Sequence, residues 1–204
     1  MCDVTFIARS SDGLLLAEAW SPHFSSSSSS SNLQQPQEQQ QLKQQVKQVL
    51  QRLQGDSING AIEAGNLRFY YKLRRGITYL TVCAASYPRR LAVCFLDDVC
   101  TLFEDELSVS FGSRGAVDAF SMVETIEAPY HFLKFERVIQ KKRQEYGDPV
   151  SSRSLARLNE SLAEVSDIMK QNIEEILQRG ENLSDVGKKA TDLKYASEKA
   201  RAKP

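Results

Sequence analysis

Residues 155–200 read LARLNESLAEVSDIMKQNIEEILQRGENLSDVGKKATDLKYASEKA. Within this stretch apolar residues step alternately by three and four: Leu155, Leu158, Leu162, Val165, Met169, Ile176, Leu183, Val186, Ala190, Leu193 and Ala200. Asn172, Arg179 and Ser197 fill the same alternation. Eleven of the fourteen positions are therefore apolar, where a chain that is 41% hydrophobic would place about six by chance. Sustained three-four spacing keeps one narrow stripe facing neighbouring helices and predicts a left-handed coiled coil. No proline falls between Ser151 and Pro204, and the only glycines are Gly180 and Gly187, so 151–203 is expected to be one helix of about 80 Å. Such a stripe is too narrow to stabilise a lone helix in water, so this segment needs partner helices or a surface to cover it.

Arg179 interrupts the stripe with apolar seam positions on both sides. A seam guanidinium loses its water, which is tolerable only if partners hydrogen-bond it. Three neutral glutamine-type acceptors at the same level would satisfy it and would fix the register of the bundle. Arg179 is thus the candidate central residue of the assembly.

Upstream, Gly147-Asp148-Pro149 stops a helical pattern and marks a domain boundary, leaving residues 1–146 as a separate unit. Val4 to Arg9 (VTFIAR) is β-branched and aromatic, Ser10 to Gly13 is a turn signal, and Leu14 to Trp20 reads as the returning strand of a hairpin. A serine run at 25–31 and the glutamine-rich stretch after it cannot bury enough apolar surface to fold, so 25–41 is expected to be a disordered insertion. Leu42, Val46, Val49, Leu50 and Leu53 then recur at helical spacing. Ile58–Glu63, Leu67–Leu73 and Ile77–Ala84 read as three further strands with turns at Gly65-Asn66 and Arg74 to Gly76. Pro88 suits the first turn of a helix running to about Leu107; 108–128 reads as a loop, and Tyr130 to Tyr146 as a last helix. The expected fold is α+β: a five-stranded antiparallel sheet with helices on both faces.

These features resemble a known family. The arginine-centred seam is similar to the motif of R-SNAREs, in which an arginine layer meets glutamines from three other helices. Met169 and Asn172 fall where that family often has Met and Asn, and Ala190 where a small residue is usual. IARSSDGLLLAE at 7–18, LTVCAASYPRRLAVCFLDDV at 80–99 and PYHFLKFERVIQKK at 129–142 resemble the profilin-like longin domain of the R-SNARE type that cycles between endoplasmic reticulum and Golgi. The resemblance implies fusion driven by a four-helix complex with three glutamine-SNARE helices, on the cytosolic face of endoplasmic reticulum, Golgi and transport-vesicle membranes. It implies further that the stretch Asn172-Ile173-Glu174 packs against the longin domain and contacts the coat of endoplasmic reticulum export vesicles. Docking of this kind has its own physical motive, since a free helix exposing a row of Leu, Val and Ile is marginal in water. Membrane association is expected through a C-terminal anchor that does not occur within these 204 residues. The same domains without an anchor would instead make a soluble regulator that occupies partner SNAREs or the coat and inhibits fusion.

Other chemistry finds little support. Basic and acidic residues are matched at 26 each, which gives no push toward nucleic acid. His23 and His131 have no metal-ligand spacing, no phosphate-cradling or nucleophile motif occurs, and no cofactor is expected. Cys83, Cys94 and Cys100 lie in apolar stretches and read as buried reduced thiols. The acids Asp97, Asp98 and Glu104 to Glu106 read as a solvated helix face, and Lys141-Lys142-Arg143 as a basic helix end.

Overall fold

The structure, a computed structural model, describes residues 2–22, 35–53, 59–112, 118–147 and 169–178. β1 (Cys2–Arg9) and β2 (Leu15–Trp20) form the opening hairpin. β3 (Asn59–Ala64), β4 (Leu67–Arg74) and β5 (Ile77–Ala84) form an antiparallel meander. Arg75 and Gly76 at its second turn both have positive φ, 50° and 77°, the backbone twist that suits a two-residue hairpin. β5 returns to the centre of the sheet and pairs with β1, Phe6 opposite Leu80.

Because side chains alternate along a strand, the sheet buries both faces. On one, Val4, Phe6, Phe69, Leu80 and Val82 meet Leu42, Val46, Val49 and Leu50 of α1 (Gln35–Arg52). On the other, Ile7, Ala17, Tyr70 and Tyr79 lie beneath α2 (Arg89–Phe111) and α4 (Glu136–Glu145). The stripe Leu91, Phe95, Val99, Phe103 and Leu107 of α2 is fully buried, and Phe103 receives Phe132 and Phe135 edge-on at 5.1 and 5.0 Å.

Several elements depart from the sequence expectation. Residues 1–146 supply the five antiparallel strands expected, and a sixth, β6 (Met169–Asn172), from beyond that unit extends the sheet to the order β2-β1-β5-β4-β3-β6. α1 begins at Gln35, with Pro36 in its first turn, so the end of the 25–41 stretch is helical; glutamine is a good helix former. The serine run lies outside the described residues. α2 continues to Phe111, and the expected loop holds a short helix, α3 (Ala119–Val123), with Asp118 accepting from the Phe120 N–H at 3.3 Å. The last helix starts later than expected. Tyr130, at φ 61°, donates its N–H to Leu15 O at 2.7 Å, and Phe132 donates to Leu16 O at 3.0 Å. The segment is thereby pinned to β2, and α4 follows only after a 3-10 turn at Leu133–Phe135.

The charged runs also differ from expectation. The acids of α2 rivet it to its neighbours: Asp97 pairs with Lys72, Glu104 with Arg74 at 3.0 Å, and Asp98 accepts from Tyr146 Oη at 2.8 Å and pairs with Lys142 at 3.3 Å. Arg143 is a core residue, 1% exposed, donating to Ala19 O at 3.0 Å and to Gln140 Oε1 at 2.8 Å. Burial pulls its guanidinium below its ordinary value. Arg9 is likewise buried, and donates to the carbonyls of Val123, Glu124 and Ile126 at 2.8 to 3.1 Å and to Asp12. All four cysteines are free and buried, with the Cys2 and Cys83 Sγ atoms 3.3 Å apart across the β1–β5 pair.

Candidate functional site

An edge strand presents a row of unsatisfied N–H and C=O groups, and β3 would be such an edge. Here β6 covers it in parallel, with Gly60 opposite Met169, Ala61 opposite Lys170, Ile62 opposite Gln171 and Glu63 opposite Asn172. The sequence MKQN has no alternating pattern and no β-branched residue, so β6 owes its form to backbone pairing rather than to propensity.

At Asn172 the chain turns from strand to helix. The Asn172 Oδ1 accepts the Glu174 N–H at 3.1 Å, the local bond by which asparagine starts a helix, and a short helix follows over 173–178. That helix lays Ile176, 3% exposed, on the face shared with α1, in one apolar cluster with Phe69, Tyr71, Leu80 and Val46. Ile173 packs at the margin of the cluster, while Glu174 and Glu175 face solvent. In the Asn172-Ile173-Glu174 stretch, then, the first residue caps, the second packs and the third points outward.

The floor of the site belongs to β3 and β4. A Cβ placed on Gly60 would collide with the Tyr71 ring, so glycine is what lets Tyr71 lie across β3. Sequence reasoning passed over Gly60, although a glycine inside a strand pattern signals close approach by another group. At the opposite edge of the sheet, by β2, Lys43 of α1 pairs with Glu18 at 2.9 Å and lies over the Tyr130 ring at 5.0 Å, and burial pushes the Tyr130 phenol up.

Of the expected seam, Met169, Asn172 and Ile176 are described; Leu155, Leu158, Leu162, Val165, Arg179, Leu183, Val186, Ala190, Leu193, Ser197 and Ala200 lie outside the described residues. For 169–172 the expected continuous helix is corrected to a strand. Without partner helices the seam has nothing to pack on, whereas the β3 edge supplies backbone partners and the α1 face supplies burial for Ile176. The arrangement can bind and release a segment; its chemistry is backbone pairing and apolar contact. Among the described residues no group of His, Cys, Asp or Glu could hold a metal ion, and no helix is long and apolar enough to cross a membrane.

Comparison with known proteins adds two family matches. The Longin family, described as a regulated-SNARE-like domain, matches residues 26–139, and the Synaptobrevin family matches residues 154–203. Vesicle-trafficking protein SEC22b-B of Danio rerio is 36% identical over 98% of this chain and 83% of its own length. The 25.3 kDa vesicle transport protein SEC22-1 of Arabidopsis thaliana is 33% identical over 95% and 80%. Protein transport protein sec22 of Schizosaccharomyces pombe is 35% identical over 76% and 67%.

Proposed function

We propose, from the premise that this chain belongs to the Sec22 family of longin-domain SNARE trafficking proteins, that it is an R-SNARE of endoplasmic reticulum–Golgi transport whose C-terminal segment alternates between two pairings. In one, residues 151–203 zipper with three glutamine-SNARE helices, with Arg179 in the central layer and Leu155 to Ala200 along the seam. In the other, 169–178 rests on the longin domain, Asn172 and Ile173 hold it there, and Glu174 faces outward toward a vesicle coat. The observation that carries the reading is that Met169, Asn172 and Ile176 belong both to the expected seam and to the docked segment. They sit on the three-four seam, and they sit on the β3 edge and the α1 face. The backbone of 169–172 cannot be strand and helix at once, and the Ile176 side chain cannot fill both places, so docking holds back assembly as the docked population grows.

The test mixes the chain with endoplasmic reticulum–Golgi glutamine-SNARE helices and follows helix content by circular dichroism. Helix should be gained, and amide protection at 59–64 should fall as 169–172 leave β3. Replacing Arg179 with Leu should keep the complex stable while loosening partner choice, because a desolvated charge is often no better than an apolar isostere. No helix gain with any such set removes the zippering reading; gain with β3 still protected removes the exclusion.

A further inference from the structure

The face of the sheet opposite the docked segment carries a second feature, a groove between α2 and α4 with a volume of about 400 Å³. Half-buried Leu102 of α2 and Val138 of α4 line it with apolar surface. Its α4 rim carries Arg137 and Lys141, one helical turn apart, both exposed and neither in an ion pair or hydrogen bond among the described residues. Lys142, by contrast, is engaged by Asp98 at 3.3 Å and Glu145 at 3.0 Å. Leu133, in the 3-10 turn that precedes α4, is 55% exposed but does not line the groove. The α2 side is acidic: Asp105 is exposed three residues beyond Leu102, on the adjoining part of that helix.

We infer that this groove docks an amphipathic helix of a partner protein, its apolar ridge on Leu102 and Val138 and its acidic flank toward Arg137 and Lys141. The charge pattern selects this occupant. Carboxylates spaced i, i+4 repeat at about 6 Å along a helix, the spacing at which Arg137 and Lys141 stand on α4. A concave apolar floor with charge on its rim is the form in which helices are received in grooves. An anionic membrane surface fits poorly, because headgroups reaching Arg137 and Lys141 would also meet Asp105 and Glu145, whereas a helix carries acid along one flank only. The groove also lies across the sheet from β6, so it stays open whether 169–178 is docked or zippered.

The experiment uses the full 204-residue chain labelled with nitrogen-15. The probe is a synthetic amphipathic peptide of about 18 residues, with leucines at i, i+3, i+4 and i+7 and glutamates along one flank. Amide shifts confined to 98–109 and 133–145, with Arg137→Glu/Lys141→Glu weakening binding about tenfold or more, are the expected result. The milder Arg137→Gln/Lys141→Gln pair should give an intermediate loss, and the same peptide with lysine in place of glutamate should not bind. Shifts on the α1 and β6 side, equal binding by the charge-reversed chain, or Arg137- and Lys141-dependent sedimentation with phosphatidylserine vesicles would each overturn the inference.

Discussion

Replacing Ile176 with Ala isolates the contact that holds the SNARE segment on the longin domain. The substitution removes three carbons from a side chain that is 3% exposed against Phe69, Tyr71, Leu80 and α1. At about 0.8 kcal/mol for each buried methylene-sized group, the docked state should lose about 2.4 kcal/mol, a shift of about fifty-fold in the docking equilibrium. Cavity formation would add to this if the site cannot collapse. The undocked segment is solvated in both proteins, so the loss falls on docking and not on the fold beneath. Amide hydrogen exchange on the free chain reads the opening directly. Amides of 169–172 and their β3 partners at 59–64 should exchange about fifty-fold faster, while β5, flanked by β1 and β4, keeps its protection. Acceleration below about threefold at 169–172 would mean that Ile176 does not hold the segment. Equal acceleration in β5 would mean that the whole domain, not the docking, depends on it.

Arg9→Met should remove the donor shared by the carbonyls of Val123, Glu124 and Ile126, costing about 3 kcal/mol in a denaturant melt and loosening 118–126 first. An unchanged midpoint would show that water replaces the guanidinium. Gly60→Ala should cost about 1–3 kcal/mol, because the new methyl meets the Tyr71 ring and the ring must turn out of its place across β3. A melt equal to that of the parent would show that Tyr71 moves freely. Stability should also fall at alkaline pH. Burial pushes the Cys100 thiol up to about 12 and raises Cys83 and Tyr79 as well, whereas an unfolded thiol ionises near about 8.5. Between those values the unfolded chain has released protons that the folded chain retains, so stability present below about 8.5 is lost as pH rises toward 12. A flat stability profile across that window, with Cys100→Ala no different, would contradict the burial argument.

The strands and helices that bury a strong periodic pattern are legible in the sequence. β5 has the bounds its β-branched and aromatic run predicts, Ile77–Ala84, and the buried stripe of α2 is the one its spacing marks. What escapes is whatever rests on one backbone contact. Tyr130 lies in helical spacing, yet its bond to Leu15 O holds it out of the helix. Arg143 ends a basic run, yet it turns inward to Ala19 O. That the seam needs a cover follows from its narrowness; that the cover is a parallel strand does not, because Met169 to Asn172 carries no strand pattern and takes its shape from the unpaired edge of β3. Periodicity reports which side chains want burial and is silent about backbone groups that lack partners.

The strand form of β6 also sets a length. Four residues in a β-strand span about 13 Å, and the same four in an α-helix about 6 Å. Passing from the sheet edge to a coiled coil therefore shortens this stretch by about 7 Å, with no change in sequence or in contour length. A tether running from the longin domain through 169–172 into a zippering bundle is drawn tight as it changes form. Tension directed along β6 would load its four residue pairs with β3 in shear, all together rather than one at a time.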